Sequence, residues 1–177
     1  TVLVTGHGPA DATRLALAPA FGADLAVDVS TTDPVAALQE HTGGRLADVV
    51  VDVTAKAPEA LSQAIHLARP GGTVVVAGVR GKTVDAFPAD LVVYKDLRLL
   101  GAFGVDADAY RAALALIATN RYPFADLPRQ IAGFDDLADL LAAMAGEHDE
   151  PPPVHGVFRP DTTGHDAPTT PTERQPR

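Results

Sequence analysis

Short runs of aliphatic and β-branched residues alternate along the chain with longer alanine-rich stretches whose apolar positions recur at helical spacing. Val2-Leu3-Val4-Thr5 reads as a buried strand, and Asp11 opens a helix through Phe21 that Gly22 stops. Pro19 falls late in that helix, where its missing N–H predicts a kink or an early end. Leu25–Val29 is the second expected strand. Asp33-Pro34 starts the next helix and Gly43-Gly44 ends it. Val49–Val53 follows as a nearly all-apolar strand, the pattern of a strand covered on both faces.

The cycle continues. Ala57–Ala68 predicts a helix with Leu61, Ile65 and Ala68 on one stripe, closed by Pro70-Gly71-Gly72. Thr73–Ala77 and Leu97–Leu100 read as strands, with a short helix over Ala89–Tyr94 between them. Asp108 is expected to open a helix carrying Tyr110, Leu114 and Ile117. Asp135 opens the last one, with Leu137, Leu140, Leu141 and Met144 inward, and Val154–Phe158 returns as an edge strand. Strands alternating with helices at this spacing require crossover connections, so the expected fold is α/β, a doubly wound parallel sheet of Rossmann type. From Asp161 the chain is dominated by Thr, Pro, Asp and Arg without apolar period. The expected organisation is therefore one domain over 1–160 and a disordered tail over 161–177.

Composition narrows the function. With 46% hydrophobic residues among 177, the chain can bury a core, which excludes general disorder. Its 23 acidic against 14 basic residues give a net charge of -9, a poor counterion for phosphate backbones, so no nucleic-acid partner is expected. The absence of cysteine excludes disulfides, thiolate zinc sites and a cysteine nucleophile. No apolar run approaches the roughly 20 residues that cross a bilayer, and no basic segment followed by an apolar stretch opens the chain, so neither a membrane partner nor a signal peptide is expected. The first residue is Thr1, and strand-like residues begin at once. The chain is therefore expected to start inside a fold, with something N-terminal removed or unrecorded.

In doubly wound sheets ligands lie across the carboxyl ends of the strands. The residues there are Gly6-His7-Gly8, Asp28-Val29-Ser30, Val53-Thr54-Ala55, Gly78-Val79-Arg80 and Ala102-Phe103-Gly104. Small residues at nearly all these positions let a flat ligand touch the backbone, which suits a dinucleotide. Gly6-His7-Gly8-Pro9-Ala10-Asp11 begins like G-x-G-x-x-G but places Asp at the third glycine and loses a donor at Pro9, so it is a weak fingerprint and reads first as a plain strand-to-helix turn, a phosphate loop second. The six histidines show no H-x-x-x-H or H-E-x-x-H spacing, and no G-x-S-x-G elbow occurs. Lys82, Lys95 and Arg98 read as surface charges.

Several strings in order carry a resemblance. These are Arg14–Ala18, Phe21-Gly22-Ala23-Asp24, Val27-Asp28-Val29, Thr42-Gly43-Gly44-Arg45-Leu46-Ala47-Asp48-Val49-Val50-Val51-Asp52, Arg69-Pro70-Gly71-Gly72-Thr73-Val74-Val75, Ala77-Gly78-Val79 and Gly101-Ala102-Phe103-Gly104. Together they resemble the medium-chain, zinc-type alcohol dehydrogenases over roughly residues 1–160. The resemblance implies the NAD(P)-binding Rossmann portion of such an enzyme, in the cytoplasm, with zinc and the substrate-side residues in an N-terminal catalytic domain that has no counterpart here. Matched without gaps, Val2–Thr5 corresponds to the second strand of the cofactor domain, and the first strand and its glycine fingerprint are missing. In the order 3-2-1-4-5-6 strand 1 joins the two halves of the sheet, so its loss leaves unpaired edges facing each other. A second register makes Val2–Thr5 strand 1 and Asp28 the ribose acid, and keeps the sheet continuous.

By the same resemblance, Val53, Thr54 and Ala55 border the adenosine half of the cofactor, and Gly78, Val79, Ala102 and Phe103 present backbone to the nicotinamide. Gly6 and His7, with Thr5, stand where an NAD ribose acid is expected. His7 and Arg14 could meet a 2′-phosphate, which leans towards NADP, while NAD stays open. No catalytic residue and no metal ligand is named on this chain. The function implied is hydride transfer between NAD(P) and an alcohol or carbonyl carbon by the complete enzyme, with the chain alone inactive. The rival readings are a non-catalytic nucleotide-binding or dimerising remnant, pairing as a homodimer through the Leu97–Leu100 edge strand, and a flavodoxin-like binding domain.

Overall fold

Ile65 and Val74 have no exposed surface, and around them Leu61, Ala64 and Ala68 form the main core cluster. The computed structural model describes residues 1–55, 57–81 and 87–161; the expected tail over 161–177 falls outside them except for its first residue. In chain order the elements are β1 (Leu3–Gly6), α1 (Gly8–Leu17), β2 (Leu25–Asp28), α2 (Pro34–Thr42), β3 (Ala47–Asp52), α3 (Pro58–Leu67), β4 (Ala68–Val76), α4 (Ala89–Tyr94), β5 (Arg98–Gly101), α5 (Ala107–Ala118), β6 (Arg129–Ala132), α6 (Leu137–Ala145) and β7 (His155–Phe158). All strand pairs are parallel, as the alternation required. They form separate sheets ordered β1-β2, β3-β4-β5 and β6-β7. The division between β1 and β3 is the broken arrangement that the gapless match implied, rather than the continuous sheet of the second register.

Local chemistry explains most boundaries. Pro19 ends the α geometry of α1 early, and Ala18–Phe21 continues as a 3-10 turn. Gly22 then adopts φ +94°, a left-handed value that glycine takes without Cβ strain, and its N–H reaches the Pro19 carbonyl at 3.0 Å. The Asp33 carboxylate accepts from the N–H groups of Val35 and Ala36 at 2.8 and 3.3 Å, capping α2.

Other expectations need correction. Arg69–Gly72 is not a closing turn after the helix but a bulge within β4: Ala47 faces Ala68 while Val49 faces Thr73, so Asp48 alone stands opposite the four extra residues. The cap of α5 is Asp106, whose carboxylate accepts from Ala109 N–H at 2.7 Å, whereas Asp108 pairs with Arg111 on the helix surface. Leu140 is buried in α6, but Leu141 and Met144 are 59% and 49% exposed, because the buried stripe runs through Leu140 and Ala143. Strand β6 had no distinct apolar signal in the sequence; it is made by parallel pairing with β7. Every described residue of α5 is exposed.

Lys95 also departs from a surface role. Its Nζ donates to the carbonyls of Ile65, His66 and Ala68 at 3.0, 2.9 and 2.7 Å, closing the C-terminal end of α3. Burial lowers the pKa of this ammonium from its ordinary value. Replacing Lys95 with methionine leaves those carbonyls without their donor. A loss of about 1–3 kcal/mol is expected for Lys95→Met in urea denaturation, against no measurable change for Arg98→Met on the exposed end of β5.

Candidate functional site

The strand ends of the three-stranded sheet are in register. Asp52 stands beside Val76, and Val76 beside Gly101, so the turns that follow leave the sheet side by side. The Asp52 carbonyl accepts from Ala77 and Gly78 N–H at 2.8 and 3.1 Å, and the Val76 carbonyl accepts from Ala102 N–H at 3.0 Å. Gly78 is pressed against the Thr54 backbone: a Cβ there would lie 2.1 Å from the Thr54 carbonyl oxygen. Val53–Ala55, Gly78–Val79 and Ala102–Phe103 thus form one ledge. On it Val53, Val79 and Phe103 are 73%, 66% and 93% exposed, an open apolar surface over a tightly joined backbone.

Beneath the ledge lies a polar pair that the sequence reading passed over. Asp52 accepts from Thr54 N–H at 3.0 Å and pairs with the Arg80 guanidinium, and both side chains are almost wholly buried. Arg80 Nη1 donates to the Gly78 carbonyl at 3.1 Å, while its Nε has no partner among the described residues. The signal was an acid in an otherwise apolar strand; its buried cation comes from the adjacent strand end and could not be paired with it from spacing.

Gly6 and His7 belong to the other sheet. Gly6 pairs with Asp28, and a Cβ on it would meet the Asp11 Cβ at 2.8 Å, so glycine is what lets α1 leave β1 this closely. His7 is exposed, and its backbone N–H donates to the Asp11 carboxylate at 2.9 Å. The structure does not join Arg14 and His7 in one open cation site. Arg14 shares Asp11 with His7, but its guanidinium donates to that carboxylate and to the carbonyls of Ala10 and Pro153. Asp28 is the organising group here: its Oδ1 accepts from Gly8 N–H at 2.9 Å, Ser30 N–H at 2.9 Å and Ser30 Oγ–H at 2.6 Å. The Ser30 hydroxyl, followed by the two backbone donors, holds this carboxyl below its ordinary pKa. Three of its accepting directions are thereby spent on the protein itself.

No group of three or more His, Asp or Glu among the described residues is placed to hold a metal ion, and the chain has no cysteine. The donors among the described residues do not gather into a zinc site. A parallel α/β fold with a ledge of small residues across its strand ends defines the class as Rossmann-like.

Comparison with known proteins gives the family. Residues 2–119 match the zinc-binding dehydrogenase family, and the chain belongs to it. The "Probable alcohol dehydrogenase adh" of Mycobacterium tuberculosis is 66% identical over 161 residues, covering 90% of this chain and 44% of the relative. Among solved structures, 2R,3R-butanediol dehydrogenase from Bacillus subtilis superposes with a TM-score of 0.71 at 30% identity, over 90% of this chain and 43% of that one. A putative zinc-binding dehydrogenase from Sinorhizobium meliloti, solved bound to NADP, does so with a TM-score of 0.65 at 32% identity, over 80% and 41%. The chain thus spans less than half the length of the relatives it matches.

Two outcomes follow from the contacts. Gly78→Ala drives a methyl group into the Thr54 backbone and is expected to destabilise by about 1–3 kcal/mol or more in urea titration, while Gly101→Ala, with open space at its Cβ, stays near wild type. Asp28 has a folded pKa below the ordinary 3.8, so its ionised form stabilises the fold above that value and the contribution disappears as pH falls through the folded pKa. Asp28→Asn should be less stable than wild type at neutral pH, and the gap should narrow as urea midpoints are followed below pH 3.8.

Proposed function

We propose that this chain is the cofactor-binding portion of an alcohol dehydrogenase-like oxidoreductase that moves a hydride between NAD(P) and an alcohol or carbonyl carbon. The observation that carries this is the in-register ledge at the ends of β3, β4 and β5, on a chain of the zinc-binding dehydrogenase family. Backbone and apolar surface at Val53, Thr54, Ala55, Gly78, Val79, Ala102 and Phe103 offer a flat ring contact without steric obstruction. The nicotinamide supplies the hydride chemistry when bound, and the protein's share is to hold and orient it. Asp52 and Arg80 support the ledge by locking one strand-end turn to the next.

The cofactor is NAD or NADP. Gly6 and His7 lie near the strand end where a ribose would rest, and Arg14 would have to leave the Pro153 carbonyl to reach a 2′-phosphate. The S. meliloti relative, bound to NADP, favours keeping that cofactor in the test. The family resemblance implies that zinc sits outside the stretch this chain shares with its relatives, and the proposal includes that the 177-residue chain turns over no substrate by itself. The reading sets the protein in the cytoplasm; no helix among the described residues is long and apolar enough to cross a membrane. Quenching of NADH and NADPH fluorescence by the chain tests cofactor binding. Saturable binding that weakens about tenfold in Phe103→Asp supports the ledge as the site; no saturation with either cofactor, or metal-dependent alcohol oxidation by the isolated chain, overturns the reading.

A second reading rests on β5. All four of its residues are exposed and its outer edge pairs with no strand among the described residues, which favours a homodimer joined edge to edge through Leu97–Leu100. Light scattering is expected to give twice the mass of the chain, and a monomer would remove this reading.

A further inference from the structure

At the carboxyl end of β1 the chain carries no side chain, and a Cβ built on Gly6 would lie 2.8 Å from the Asp11 Cβ. The room that a strand-end side chain would use is therefore taken by Asp11, which reaches it from the first turn of α1. Its Oδ2 accepts from His7 N–H at 2.9 Å and its Oδ1 from Arg14 Nη1 at 3.3 Å. The side chain is still 34% exposed. A carboxylate has about four accepting directions, two on each oxygen, so these two donors leave one open on each.

The groups that would draw an anion to this turn are already engaged. A helix N-terminus attracts phosphate through its free amides. Here Pro9 has no N–H, the His7 N–H goes to Asp11, and the Gly8 N–H goes to Asp28 at 2.9 Å. Arg14 donates through Nη1 to Asp11 and the Ala10 carbonyl, and through Nη2 to the Pro153 carbonyl. A phosphate arriving at the end of β1 meets two carboxylates, whereas a neutral diol meets an acceptor with both oxygens in reach.

We propose that Asp11 sets the choice of cofactor, its carboxylate accepting the ribose hydroxyls of NAD and repelling the 2′-phosphate of NADP. The proposal rests on the dinucleotide reading above and deepens it. The acid that an NAD ribose needs is absent from the strand end itself, at Gly6, and is carried instead by the helix that follows. One open direction on each oxygen suits the two O–H donors of a vicinal diol, in hydrogen bonds strengthened by the charge of the acceptor. A 2′-phosphate in the same place sets like charges side by side. Arg14 balances Asp11 rather than recognising a phosphate, since its guanidinium is held by that carboxylate and by two carbonyls.

The test is the ratio of NADPH to NADH dissociation constants, measured by fluorescence titration of the full 177-residue chain. NADH is expected to bind about tenfold tighter or more. Asp11→Asn removes the charge and releases Arg14, so it should weaken NADH, strengthen NADPH and narrow the ratio by about tenfold or more. Asp11→Glu keeps the charge and should keep the preference for NADH. A residue that only caps the His7 N–H would, when replaced, weaken both cofactors alike, so an unchanged ratio in Asp11→Asn overturns the proposal. NADPH bound by the unaltered chain as tightly as NADH, or more tightly, overturns it without any variant and leaves the dinucleotide reading standing. Saturation with neither cofactor removes that reading, and this proposal with it.

Discussion

Ile65 on α3 and Val74 on β4 are sealed from solvent, and the contact between them fixes where everything else in the larger sheet can go. β4 is held on both edges, α3 covers it, and Phe87 with Leu91 and Val92 of α4 packs against the same cluster. A parallel strand cannot be joined to its neighbour by a hairpin, so each pairing brings a helix with it, and each helix needs an apolar strand face. Where that requirement is met, as in β3-β4-β5, the strand ends come into register and the ledge follows. On the face of β3 opposite α3 it is not met, and Val49 and Val51 remain exposed.

Lys95 extends the same constraint to the helix terminus. The last carbonyls of α3 lie beside the core cluster, and from the turn before β5 a single ammonium reaches two of them, Ile65 and His66, and the Ala68 carbonyl that follows. The cost is a lowered affinity for its own proton, caused by burial. The residue that appears in the sequence as one more surface lysine is the clasp between α3 and the end of α4. Nothing in its local spacing reveals this, because its partners lie some thirty residues earlier.

Local signals were legible where they depend on the next few residues. Gly22, Gly43 and Asp33 act at the positions their chemistry dictates, and the short helix Ala89–Tyr94 falls where its apolar spacing puts it. The signals that failed depend on distant partners. Pro70-Gly71-Gly72 has turn composition, but the Gly71 N–H is claimed by the Lys95 carbonyl and the segment becomes a bulge in β4. β6 exists because β7 lies beside it. Of the candidate site, the glycine and alanine positions at the strand ends were legible, since small residues there admit only close backbone approach. The Asp52–Arg80 pair beneath them was not, because Arg80 alone reads as an exposed turn cation.

That pair bears on how the ledge works. Two buried opposite charges seldom stabilise a fold beyond what an apolar pair of the same volume would give, so their value lies in geometry. Asp52 simultaneously fixes the Thr54 N–H and the Arg80 guanidinium, and its carbonyl takes both Ala77 and Gly78. One residue thus sets the spacing between two strand-end turns, and the missing Cβ of Gly78 lets them touch. The exposed valines and Phe103 contribute contact area but no position of their own. A flat ligand lying on such a surface would be oriented by backbone whose placement is decided from below, which allows the surface side chains to vary while the floor stays rigid. On the far side of the gap Asp28 has the corresponding duty, tying α1 to the end of β2. Two acids, one in each sheet, thus fix the strand-end turns on either side of the break between β1 and β3.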